Sequence, residues 1–92
     1  MLLRLYIAGC TPGARRAIEN LENIVADLSR APDPTQIDLE VIDVLENPQL
    51  AEDERILATP LLVRRLPEPI RRLVGDLSER ERVLIGLDLR DD

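Results

Sequence analysis

The opening strand–helix–strand pattern constrains this chain more than any other feature of its sequence. Residues 2–8 are almost continuously apolar, interrupted only by Arg4, and read as a central strand buried on both faces. Gly9-Cys10-Thr11-Pro12 follows as a strand-to-helix turn, with Thr11 the N-cap and Pro12 the first helical residue. Ala14, Ala17, Ile18, Leu21, Ile24, Val25 and Leu28 then recur at helical spacing, one stripe facing a core while Arg, Glu and Asn face out. Beyond the loop Ala31-Pro32-Asp33-Pro34, Ile37, Leu39 and Val41 alternate with Asp38 and Glu40, a strand with one wet face. Strand, helix, strand at this spacing implies a right-handed crossover joining two parallel strands. An α/β fold is the consequence.

Signals in the second half conflict. Asn47-Pro48 repeats the cap-then-proline start, predicting a short helix from Pro48 to about Leu57. Leu61-Leu62-Val63 and residues 70–74 read as two strands joined through Pro67-Glu68-Pro69, yet Ile70, Leu73, Val74 and Leu77 also sit at helical spacing. Ser78 and Glu81 form a capping box before Val83-Leu84-Ile85, with Gly86 as the expected C-cap. However, Leu87-Asp88-Leu89 alternates as a strand would. Local signals in a well-specified chain usually agree, and here they do not; short apolar runs being ambiguous is the plain explanation from the pattern alone.

The length of 92 residues allows one domain, residues 1–92. With no His, the commonest general base and transition-metal ligand are missing, and no carboxylate pair, phosphate loop or ligand cluster suggests catalysis, a metal or a cofactor. Tyr6 is the sole aromatic and the net charge is −6, which together argue against nucleic acid. No run approaches a membrane span and the start lacks a signal-peptide pattern, so the cytoplasm is the expected address.

Cys10-Thr11-Pro12-Gly13 sits where a thioredoxin-like protein carries Cys-x-x-Cys, at the end of the first strand. Gly13 removes the second thiol and with it dithiol exchange; one-thiol chemistry of the monothiol glutaredoxin kind is the enzymatic alternative. Thr59-Pro60 precedes a strand, where such folds place a cis-proline. All twelve basic residues are Arg, and the pairs Arg64-Arg65 and Arg71-Arg72 stand out. In a hairpin, one member of each pair would share a face, a small basic patch for an acidic partner.

These residues resemble the KaiB family closely. Leu5-Tyr6-Ile7-Ala8-Gly9 with Thr11-Pro12 is similar to its opening strand and turn. So are Val41-Ile42-Asp43-Val44-Leu45 running into Asn47-Pro48-Gln49-Leu50-Ala51, Ile56-Leu57-Ala58-Thr59-Pro60, and Gly75-Asp76-Leu77-Ser78 leading to residues 83–89. The stretch from 30 to 38 matches least. The resemblance implies a non-enzymatic clock protein that binds the N-terminal ring of the ATPase and kinase KaiC and regulates its phosphorylation rhythm. It implies two folds: a thioredoxin-like monomer with a mixed four-stranded sheet (strand-helix-strand-helix-strand-strand-helix), and a ground-state form, rearranged in its C-terminal half, that self-associates. The first is expected here, because Thr59-Pro60, Pro67-Glu68-Pro69 and the capping box suit it; Pro60, Pro67, Pro69, Gly86 and Asp88 are the expected switch positions. By similarity Arg16, Arg64, Arg71 and Arg72 match partner-contacting positions. The second strand matches the edge that recruits KaiA. Glu40 departs from the Lys often found there, and the acidic tail is cut back to Asp91-Asp92, as in a divergent paralogue. A sensor module of the kind fused to KaiC-reading histidine kinases is a further alternative.

Overall fold

The apolar run at the start becomes β1 (Leu2–Ile7), and its burial on both faces follows from its place in the sheet. The computed structural model describes residues 1–32 and 36–89. The Pro- and Asp-bearing loop at 33–35 and the Asp91-Asp92 tail therefore lie outside the described residues. Strand order is β2-β1-β3-β4, with β2 (Asp38–Asp43) parallel to β1, β3 (Leu61–Leu66) antiparallel to β1, and β4 (Arg71–Val74) antiparallel to β3. The crossover between β1 and β2 is α1 (Pro12–Ser29); Thr11 Oγ1 accepts from the Ala14 amide at 3.0 Å, so the cap and proline act as their sequence positions predict.

Alternation along β1 sends side chains to two layers. Leu3 and Leu5 pack with Ala17, Leu21 and Ile24 of α1, with Leu62, and with Val83, Leu84 and Leu87 around α3 (Arg80–Gly86). Tyr6 points the other way, against Leu61 and Val63, with Leu50 of α2 (Pro48–Asp53) and Ile56 beside them. Each fully buried leucine contributes roughly 1.5–3 kcal/mol, so the first layer dominates stability. This is the thioredoxin-like arrangement, with β2 at an open edge as expected. The Thr59–Pro60, Leu66–Pro67 and Glu68–Pro69 bonds are all cis.

Helix ends depart from the sequence reading. Helix α2 stops at Asp53, short of Leu57, because Arg55 adopts φ 54° and the Ile56 amide donates back to Ala51 O at 2.9 Å while the Arg55 amide donates to Glu52 O at 3.1 Å. That pair of bonds is a Schellman closure with Arg at the left-handed position where Gly is usual. Helix α3 ends the same way. Asp88, at φ 59°, takes the left-handed position, the Asp88 amide donates to Ile85 O at 3.0 Å, and the Leu89 amide donates to Leu84 O at 2.8 Å. Leu87-Asp88-Leu89 is thus an ordered helix closure with Leu87 in the core. The capping box also gives way: the N-cap is Glu79, without a side-chain cap, and the Ser78 amide donates to Asp76 Oδ1 at 3.1 Å.

Gly86 is the last helical residue of α3, and its glycine answers to close approach. A Cβ there would lie 2.8 Å from Leu73 Cδ1 on β4. Gly86→Ala should therefore show little of the roughly 1 kcal/mol helix-propensity gain in the native background and most of it once Leu73→Ala has cleared the space. Urea denaturation of the two single variants and the double variant measures that coupling; strict additivity would show that Leu73 swings aside at no cost.

Candidate functional site

Both arginine pairs lie on the β3–β4 hairpin, whose register sets Arg64 opposite Arg71 and Val63 opposite Arg72. Side chains alternate, so each pair is split between faces: Arg64 and Arg71 share the α3 face, Arg65 and Arg72 the α2 face. On the α3 face Arg64 is only 4% exposed. Its guanidinium donates to Leu87 O at 2.6 Å and Pro69 O at 2.9 Å, and lies 3.4 Å from Asp88 Oδ2. Arg71, half-exposed, approaches the same Asp88 oxygen at 3.0 Å. One carboxylate thus holds two arginines, and Arg64 ties β3, the hairpin corner and the end of α3 together.

The α2 face repeats the scheme at the end of α2. Arg65 pairs with Glu54 Oε2 at 3.1 Å, and Arg72 donates to Glu54 O at 3.0 Å. Both left-handed helix closures therefore sit beside an acidic residue gripped by a hairpin arginine. Sequence reasoning missed Glu54 as an anchor, and it had no signal to follow, since the pairing spans distant parts of the chain.

The other candidates stand apart from the hairpin cluster. Arg16 on α1 is exposed and pairs with Asp76 at 3.2 Å. Hydrogen bonds from Ser78 first, then from Arg16, hold the Asp76 carboxyl below its usual value. Its contribution to stability is present above the ordinary carboxylate pKa and fades as pH falls through the lowered one. Glu40 lies at the opposite edge, on β2, 3.7 Å from Arg4, its register neighbour on β1; Arg4 also donates to the Tyr6 hydroxyl at 3.2 Å. Cys10 is exposed at the start of α1, with Arg15 Nε 3.4 Å from its sulfur.

Of the predicted partner-binding residues, the fold brings Arg64 and Arg71 together, puts Arg72 on the other face, and leaves Arg16 and Glu40 separate. Among the described residues no group of three or more His, Cys, Asp or Glu is placed to hold a metal ion, and no helix is long and apolar enough to cross a membrane. Chemically the arrangement offers cations, an open sheet edge and exposed aliphatics, which are means of recognising another protein.

Comparison with known proteins agrees in kind. The sequence model of the family described as KaiB domain matches residues 4–89. The chain is 56% identical over 91 residues to the circadian clock oscillator protein KaiB of Parasynechococcus marenigrum (strain WH8102), covering 99% of this chain and 84% of that one. The protein of the same name from Prochlorococcus marinus (strain MIT 9303) is 55% identical, with 99% and 73% covered. Among solved structures, the N-terminal domain of Synechococcus elongatus SasA superposes with a TM-score of 0.73 at 31% identity, over 99% of this chain and 86% of that one. Chloroplastic thioredoxin z superposes with a TM-score of 0.73 at 22% identity, over 96% of this chain and 76% of that one, a likeness of fold alone.

Proposed function

The chain belongs to the KaiB family of non-enzymatic clock proteins, and from that premise we propose that it binds the N-terminal ring of a KaiC-like ATPase and so regulates its phosphorylation rhythm. The observation that carries this reading is the thioredoxin-like arrangement, which the chain shares with the SasA N-terminal domain. Arg16 on α1 and Arg71 and Arg72 on the hairpin supply the exposed cations, and Arg64 acts by holding the hairpin that presents the last two. The open β2 edge is the surface for a further clock partner, a histidine kinase or KaiA; Glu40 stands there in place of the Lys common in the family, a reversed charge that works against KaiA. We further propose that the C-terminal half can rebuild into a self-associating ground-state form, which the conflicting signals between 58 and 89 support.

Binding of the purified chain to an immobilised KaiC-like hexamer tests the central claim. Arg16→Ala combined with Arg72→Ala should weaken it by about tenfold or more, about 1.4 kcal/mol. Circular dichroism should stay native, because the pairs these residues lose are surface interactions worth at most about 1 kcal/mol each. Cys10→Ser should bind as the wild type does. Equal affinity in the double arginine variant would remove those residues from the interface. Disulfide reductase activity in the wild type that vanishes in Cys10→Ser would move the protein to the one-cysteine redox reading, against which Gly13 stands.

A further inference from the structure

The segment that follows α2 and the β3–β4 hairpin enclose an apolar notch of about 180 Å³, lined by Arg55, Leu57, Ala58, Leu61, Arg72 and Val74. Leu61 is buried and forms the floor, while Leu57 is 95% exposed and Val74 67% exposed. A leucine held almost wholly in water stabilises nothing in the isolated chain. It stands there because α2 stops at Asp53 and the left-handed Arg55 turns the chain outward. Arg55 and Arg72 both line the notch. In a chain of net charge −6, an apolar hollow lined by two arginines marks a place for the opposite sign.

We infer that this notch is a docking site for an acidic segment of a partner protein that projects one aliphatic or aromatic side chain between Leu57 and Val74. The inference rests on the KaiC-ring reading above and deepens it, because Arg72 belongs to both surfaces. Leu57 and Val74 supply the apolar anchor; Arg55 and Arg72 meet flanking carboxylates. Anchors of this kind carry a disproportionate share of binding energy where the surrounding contacts exclude water.

The test uses the full chain, the immobilised KaiC-like hexamer and four proteins: wild type, Leu57→Ser, Arg55→Ala, and the Arg16→Ala, Arg72→Ala double variant. Leu57→Ser should bind at least about tenfold more weakly with an unchanged melting temperature, since the side chain touches little in the free protein. Arg55→Ala should bind more weakly and show a shallower loss of affinity with added salt. Wild-type affinity in Leu57→Ser, with binding still lost in the double arginine variant, would overturn the notch and leave the ring reading standing. No binding by the wild type would overturn both. Concentration-dependent dimerisation of the wild type by light scattering, abolished in Leu57→Ser, would make the occupant a second copy and overturn the acidic partner.

Discussion

Arg64→Glu should unfold the protein or bring it close to unfolding. The wild-type guanidinium is buried and gives its hydrogen bonds to Leu87 O and Pro69 O while facing Asp88. A glutamate there would set a carboxylate against another carboxylate and two carbonyl oxygens, all acceptors, in a site water hardly reaches. Breaking a buried pair costs about 3–5 kcal/mol, and reversing one partner adds repulsion. Domains of this size have about 5–15 kcal/mol in total. Arg64→Met removes the charge without reversing it; it orphans the two carbonyls and should cost roughly 2–3 kcal/mol. Urea denaturation should show both midpoints falling in that order at unchanged m-value. An Arg64→Glu midpoint corresponding to a loss under about 1 kcal/mol would mean that the side chain swings out to solvent and that the clamp contributes nothing. The sequence alone recommends Arg64→Glu with Arg71→Glu as an interface test that keeps the fold. The clamp makes that pair a folding test, and a loss of binding in it would say nothing about contact with a partner.

Where the chain announces itself, it does so through groups that act locally. Thr11-Pro12 caps α1 because a hydroxyl three residues from an amide needs no distant help. The alternation of β2 and the apolar run of β1 were legible because a strand's period survives whatever it pairs with. The ends of α2 and α3 were not. Their closures place Arg55 and Asp88 where Gly is the usual marker, so the pattern held no stop signal, and the glycine that is present serves Leu73 instead. The Ser78 capping box was a false signal, since Asp76 captures the Ser78 amide first. At the candidate site, the hairpin pattern showed that members of the two Arg pairs share a face. Which arginine is buried depends on where the end of α3 lands, and Glu54 and Asp88 are assigned by tertiary packing alone.

Asp88→Val should shift the protein away from the arrangement described above by more than any other single exposed-site change. Asp88 does two things at once. Its backbone holds the left-handed position that closes α3, and its carboxylate takes Arg71 at 3.0 Å and Arg64 at 3.4 Å. A β-branched residue at that φ costs about 1–2 kcal/mol, and loss of the acceptor for a charged donor costs roughly 1.5–3 kcal/mol more. In an extended Leu87-Asp88-Leu89 neither term applies, and valine gains up to about 1 kcal/mol of strand preference. A competing form populated at about 1% lies only about 2.7 kcal/mol above the major one, so a penalty of this size would reverse the balance. Asp88→Asn separates the two effects: asparagine tolerates the left-handed region but carries no charge, so it should move the equilibrium by roughly the electrostatic part alone. Amide exchange spectra would count the populations, and size-exclusion profiles across concentration would show whether the new species self-associates. If wild type, Asp88→Asn and Asp88→Val each give one monomeric set of resonances, residues 58–89 have a single structure. The conflict in their sequence would then reflect only how alike short apolar segments look before they fold.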